Sequence, residues 1–355
     1  MLCVIPPQAG LVIENWSLVI WIRQAHHYPG QQTGVQKEGY IMPRTEWVYR
    51  GILPAIQCPF KPDLSIDEAE LRRFAGWLAG HRGIGGLVTN GHTGEVFALS
   101  AKQRAEVTRI AADEVKGAVP VVSGINCEGI NEACEHAQMA KEAGASGLLI
   151  MPPHMWLRFG MRPDHILDYF AAIGKSSGLD LVVHIYPAWT RAAYSFEVLA
   201  GLAKQPWVKC FKIGTREMNK YARDIRTIRE NGPGKTILTC HDEYLLASMV
   251  QGVDGALVGF ASFIPELVVE MYDAVCAGDL KKAMDLQFRI NPLKDVVYGG
   301  GEPTGDAHAR MKMAMYLAGR LKSPVVQPPT RQPEGADLQA IKDALKGAGL
   351  LKRES

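Results

Sequence analysis

From residue 50 the chain alternates between short apolar runs and longer amphipathic stretches. The runs are GILPAIQ (51–57), GGLVTN (85–90), VPVVSGI (119–125), SGLLIMP (146–152), DLVVHIYP (180–187), VKCFKI (208–213), KTILTC (235–240) and GALVGF (255–260). Each carries Val, Ile or Leu at successive rather than alternate positions, the mark of strands buried on both faces of a parallel sheet. The stretches between them read as helices. One opens at Ser100 with Gln103 three residues on, a capping box, and Ala101, Val107, Ile110 and Ala111 supply its apolar face. Another, 129–144, ends at Gly144, and Ser195 caps a third over 196–204. Eight such alternations predict an α/β fold, a (β/α)8 TIM barrel, over residues 49–276. Beyond 276 no strand pattern remains. Segments 279–292, 305–319 and 336–346 read as helices, with a Pro-rich stretch at 324–333, so residues 277–355 form a C-terminal helical extension.

Residues 1–48 lack clear periodicity and read as an irregular extension, with Met42 a candidate for the true start. The apolar run 16–22 is far short of the roughly 20 residues a spanning helix needs, and the start has neither a basic lead nor a small-residue cleavage site. No membrane partner is expected. Thirty-nine Lys and Arg against 37 Asp and Glu give a formal charge of +2 without a basic stripe, which argues against nucleic acid as a partner. The seven cysteines contain no C-x-x-C pair and are odd in number, which predicts buried thiols in a reducing, cytoplasmic setting rather than a disulfide framework or a zinc site.

In a barrel of this kind the reactive groups sit at the C-terminal ends of the strands. Those ends carry Asn90-Gly91-His92-Thr93-Gly94-Glu95, Pro152-Pro153-His154-Met155-Trp156, His184-Ile185-Tyr186-Pro187, Lys212-Ile213-Gly214 and Cys240-His241-Asp242-Glu243. Lys212 lies in an apolar strand, where an ammonium is costly unless paired or neutralised. Desolvation lowers a lysine pKa and exposes a nucleophilic amine. A strand-end lysine paired with a carboxylate or extended to water is the structural alternative. Gly91–Glu95 can present backbone N–H groups to an anion, or be an ordinary turn. The histidines lack H-x-H or H-E-x-x-H spacing, and a neighbouring lysine would repel a cation, so no metal is expected.

Together, in order and at suitable spacing, these segments resemble the dihydrodipicolinate synthase/N-acetylneuraminate lyase family of class I Schiff-base aldolases. GHTGE (91–95) is similar to the family's G-x-T-G-E loop, HIYP (184–187) to its Y-N-x-P strand end, FKIG (211–214) to the segment of its Schiff-base lysine, and GVDGALVGFASFIP (252–265) to its eighth strand and turn. The resemblance spans about residues 49–350. It implies a lyase, aldolase or hydro-lyase, that needs no cofactor, assembles as a homotetramer and forms an imine between Lys212 and pyruvate or a longer 2-oxo acid. It also implies that His92, Thr93, Gly94 and Gly259 bind substrate, with Thr93 and nearby amides on its carboxylate.

Departures from the family pattern carry the finer expectations. The proton-moving tyrosine is replaced by His184, three residues before Pro187, while Tyr186 lies two residues later on the same strand face. The first loop threonine is His92, and the fourth-strand segment reads PPHMW without tyrosines. The relay is expected to be rebuilt on imidazoles, with His184 the general acid/base and Tyr186 its rival. Imidazole's ordinary pKa of roughly 6.5 suits neutral pH better than a phenol near 10. The arginine that synthases carry two residues after the proline is Trp189 here, with Arg191 nearby. Trp189, Trp156 and His154 are expected to shape a bulky pocket, which argues against true dihydrodipicolinate synthase. Met155-Trp156 resembles a pair in hydratase-aldolases of aromatic 2-oxo-butenoates, and sugar-acid dehydratases remain equally open. The alternative reading is a catalytically silent barrel that binds a 2-oxo acid.

Overall fold

The computed structural model describes residues 47–187, 190–299 and 305–353. The expected extension over 1–48 lies almost wholly outside these residues, as does Trp189. Eight strands follow in order: β1 (Gly51–Pro54), β2 (Leu87–Thr89), β3 (Val121–Ile125), β4 (Gly147–Ile150), β5 (Asp180–Ile185), β6 (Val208–Ile213), β7 (Thr236–Thr239) and β8 (Gly255–Val258). All pair in parallel, each with its sequence neighbour, and β8 returns to β1. β1 and β2 meet through bridges Ile52–Ile84 and Ala55–Val88, with Ile56 N–H donating to the Val88 carbonyl at 2.9 Å. The sheet therefore closes into a barrel and leaves no strand edge open to another chain.

Helices separate the strands. They are α1 (Glu68–Ala79), α2 (Ala101–Val115), α3 (Ile130–Glu142), α4 (His154–Phe159), α5 (Pro163–Ser177), α6 (Phe196–Lys204), α7 (Met218–Asn231) and α8 (Leu245–Met249). α9 (Phe260–Phe263) and α10 (Pro265–Cys276) follow β8, and α11 (Leu280–Tyr298), α12 (Ala307–Leu317) and α13 (Gly335–Gly347) complete the chain. The local signals act as expected. The Ser100 hydroxyl accepts from Gln103 N–H while the Gln103 side chain accepts from Ser100 N–H, and Ser195 accepts from Val198 N–H. α11 runs on through Pro292 rather than stopping there. A proline removes the bond to the carbonyl four residues back, here that of the exposed Phe288, which water can satisfy.

The core has an outer and an inner part. Outside the barrel, apolar faces of the helices pack on the sheet in two clusters, one under α1, α2 and α10–α13, the other under α3–α7. Inside it, Leu53, Val88, Val122, Leu149, Val182, Cys210, Leu238 and Leu257, one from each strand, fill the lumen. Tyr49 lies below them, its hydroxyl 3.2 Å from Asp180 Oδ2. No helix among the described residues is long and apolar enough to cross a membrane.

Candidate active site

Two residues further along a strand bring the chain back to the same face. From the lumen-filling layer of β5 to β8, that step leads to His184, Lys212, Cys240 and Gly259. All four line one cavity of ≈ 390 Å³ at the C-terminal ends of the strands. Lys212 and His184 are register partners on neighbouring strands, so their backbones are about 4.8 Å apart. Lys212 is partly buried at the cavity, and this burial lowers its pKa against the opposing pull of Cys240 and Asp242. His184 is 6% exposed. Burial, reinforced by the Lys212 charge, takes its pKa well below the ordinary imidazole range. Its Nδ1 is buried without a hydrogen-bond partner among the described residues.

Tyr186 lies on the same face as His184, with ring centroids 4.7 Å apart. Its hydroxyl is 2.9 Å from His92 Nε2. Burial pushes the phenol pKa up, and pushes His92 down to about 3, with Lys212 adding to the latter. Both groups are thus held neutral, and a neutral imidazole nitrogen can accept from the protonated phenol. His92 and Thr93 enter the cavity from a single turn of 3₁₀-helix, His92–Gly94. Within that turn Gly94 and Glu95 donate to the carbonyls of Gly91 and His92, while the first amides of such a turn have no partner inside it. Gly94 approaches the barrel so closely that a β-carbon would sit 2.9 Å from the Ile56 carbonyl oxygen. At Gly259 a β-carbon would meet Thr93 Oγ1, Asp242 Oδ2 and Met311 Cε at 3.0–3.1 Å. The two glycines leave the corner beside Thr93 open.

Two groups expected near the cavity lie elsewhere. Trp156 is 3% exposed and packs edge-on against Tyr169, at 5.3 Å, within the cluster under α3–α7. α4 starts at His154, with three residues between it and the end of β4, and its third residue, Trp156, turns its side chain outward. His154 is solvent-accessible at the rim, 3.1 Å from Glu128, whose carboxylate also accepts the N–H groups of His154 and Met155. The Glu128 carboxylate thus satisfies the first N–H groups of α4, and His154 is absent from the cavity lining among the described residues. Trp189 falls outside the described residues, and Arg191 is exposed.

Other lining residues had no role in the sequence reading. Asp242 Oδ2 accepts from the Tyr298 hydroxyl and from Gly259 N–H at 3.1 Å, while Oδ1 accepts from Phe260 N–H at 2.9 Å. Burial nevertheless raises Asp242 to about 6. Arg216 pairs with Glu243 at 2.7 Å. His308, on α12, is pushed down to about 4 by burial, with Lys312 and Lys212 adding. Asp242 and Glu243 sit at a strand end and were visible there; Tyr298 and His308 come from C-terminal helices that no strand-end rule reaches. His241, read as a fourth candidate histidine, donates from Nε2 to the Thr215 carbonyl at 2.7 Å and is likewise pushed down to about 4, chiefly by burial. A further tie holds the turn. Glu95, left-handed at φ 58°, pairs through Oε1 with the fully buried Lys312 and accepts Gln327 N–H on Oε2 at 2.8 Å. Away from the cavity, donor atoms of Cys127, Glu132 and His136 lie within 4.8 Å of one another. An Arg104 guanidinium nitrogen 3.4 Å from His136 Nδ1 opposes a cation there.

A barrel with a desolvated lysine among proton-carrying side chains at its strand ends defines a class of carbonyl-attacking enzyme. The chain belongs to the dihydrodipicolinate synthetase family, whose model matches residues 48–348; its members are class I pyruvate-dependent aldolases and lyases. It is 31% identical over 306 residues to the 4-hydroxy-tetrahydrodipicolinate synthase of Acidiphilium cryptum, covering 86% of this chain and all of that one. It is 29% identical over 243 residues to the probable 2-dehydro-3-deoxy-D-pentonate aldolase YjhH of Escherichia coli, covering 68% of this chain and 79% of that one. Among solved structures, N-acetylneuraminate lyase from Fusobacterium nucleatum superposes with a TM-score of 0.74 at 23% identity, over 86% of this chain and 99% of that one. YagE of E. coli, solved with pyruvate, gives 0.77 at 24%, over 85% and 99%. At such identities these structures speak to the fold.

Proposed function

We propose that Lys212 forms an imine with a 2-oxo acid and that the cavity then breaks or makes a bond β to the imine carbon. The observation that carries this reading is the Lys212 ammonium, desolvated at the cavity floor and register-paired with His184. The free amine attacks the ketone carbon, and loss of water leaves a protonated iminium. In the cleavage direction a base removes the proton of the distal hydroxyl, the carbon–carbon bond breaks, and its electron pair enters the iminium as an enamine. Protonation of the enamine carbon and hydrolysis return pyruvate and Lys212. In the dehydration direction the base takes the carbon-bound proton and the hydroxyl leaves as water. His184 is the acid/base of this scheme. Its depressed pKa keeps it neutral and able to accept a proton at pH 7. The Tyr186–His92 pair is positioned to pass that proton on. Thr93 and the first amides of its turn hold the substrate carboxylate, with Gly94 and Gly259 leaving the space.

The substrate is pyruvate or a longer 2-oxo acid other than that of a true dihydrodipicolinate synthase. Arg216 already has Glu243 as counter-charge, and the position of the synthase arginine is Trp189, so a second substrate carboxylate has little to attract it. The family resemblance further supports a homotetramer in the cytoplasm. Borohydride reduction with pyruvate should add mass at Lys212, and a screen of 2-oxo acids should show pyruvate release or substrate loss. Trapping without turnover of any 2-oxo acid would turn the protein into a binder; trapping at another lysine would remove Lys212. A monomeric mass by light scattering at micromolar concentration would overturn the tetramer.

A further inference from the structure

A second cavity of ≈ 450 Å³ adjoins the first and shares His92 and His308 with it. Its walls come from three distant parts of the chain: Phe97 and Ala98 after the carboxylate turn, His308 and Ala309 on α12, and Pro328 and Pro329 in the Pro-rich stretch. We propose that this cavity is a binding site for an uncharged aromatic ring.

The walls are held in place. Phe97 stacks on His92 with centroids 5.0 Å apart and planes 27° apart, yet the residue stays 56% exposed. Large apolar side chains left open in a concave, preformed wall are the usual anchor of a flat ligand. The proline wall is fixed through its neighbour: Gln327 N–H donates to Glu95 Oε2 at 2.8 Å and its side chain to the Leu64 carbonyl at 2.8 Å. Ala98 and Ala309 leave room between these walls. An apolar cavity of only about 150 Å³ holds a benzene, so the volume is ample for a substituted ring.

Charge excludes the other ligand classes. No Lys or Arg lines the cavity among the described residues, so an anion has no partner. Both shared imidazoles stay neutral at pH 7, pushed down to about 3 and about 4. Among the described residues the one carboxylate in the wall, Glu95, is already committed to Lys312 and to Gln327 N–H, which leaves it little to offer a cation. Thr330 offers a single hydroxyl, enough for one neutral polar substituent. The site does not depend on the chemistry of Lys212, which lines the first cavity only.

The probe is para-fluorobenzyl alcohol, followed by fluorine NMR on the full chain. Saturable binding is expected, with the same affinity in Lys212→Ala. Para-fluorobenzoate and para-fluorobenzylammonium should bind at least roughly tenfold more weakly to the unmodified protein, because burying an unpaired charge is costly. Ala98→Trp, at an exposed position, should fill the cavity and weaken the alcohol by roughly tenfold or more. The proposal is overturned if the alcohol shows no saturable binding, as it would were a second copy of the chain to fill the cavity. It is equally overturned if either charged analogue binds as well as the alcohol, or if a folded Ala98→Trp protein binds it unchanged.

Discussion

The two inward layers of this barrel are built by the same strands, two residues apart, and they do opposite things. The lower layer is Leu53, Val88, Val122, Leu149, Val182, Cys210, Leu238 and Leu257, buried and apolar throughout. The upper layer on β5 to β7 is His184, Lys212 and Cys240, polar side chains that line a cavity. Backbone geometry is common to both, so the change from packing to chemistry is entirely one of side chains and of access to solvent. The lower layer also works for the upper one. It supplies the desolvated floor that lowers the pKa of Lys212, which an open-ended barrel would not do.

That comparison can be broken from either side. The largest effect is expected in the upper layer. Lys212→Ala should abolish both imine trapping and turnover, and residual trapping at another lysine would relocate the nucleophile. His184→Ala should lower turnover by roughly 10²–10⁴-fold while imine formation persists more slowly. The pH profile carries the sign. A pKa depressed below the ordinary imidazole value keeps His184 neutral to lower pH, so the acid limb of kcat should lie below pH ~6.5. An acid limb above that value would point to a different base. In the lower layer, Leu238→Ala should cost about 2–5 kcal/mol of stability by leaving a cavity, with kcat of the folded protein nearly unchanged; denaturant melts and kinetics on one preparation separate the two. The smallest loss is expected at Tyr186→Phe, about tenfold in turnover, because the His92 bond goes while His184 stays. Should Tyr186→Phe prove the more damaging, the relay runs through Tyr186 and His92 instead.

The strands were legible because a parallel strand buried on both faces leaves an unbroken apolar run, and all eight runs contain an observed strand. Lys212, His184, Tyr186 and Thr93 were picked out because strand ends converge by topology, whereas Gly259 came only from the family resemblance. Trp156 was misread for a reason the rule does not contain. It is past the strand, on a helix, where side-chain direction follows a period of 3.6 rather than 2. Tyr298 and His308 were invisible for a related reason. They reach the cavity from α11 and α12, and nothing in a helical pattern says which turn will lie over a distant strand end. The helix expected over 279–292 runs on to Tyr298, because the packing of Leu293, Val297 and Tyr298 against the outer core outweighs the local breaker Pro292.

The pair between Glu95 and Lys312 joins residues 217 apart in sequence. A chain emerging from the ribosome completes all eight strands well before α12 exists. Until then Glu95 has no Lys312 to pair with, and the turn that carries His92 and Thr93 lacks its tie to the C-terminal helices. The strand that carries Lys212 is thus made early, while the tie that fixes the His92–Gly94 turn to α12 comes only when synthesis is nearly over.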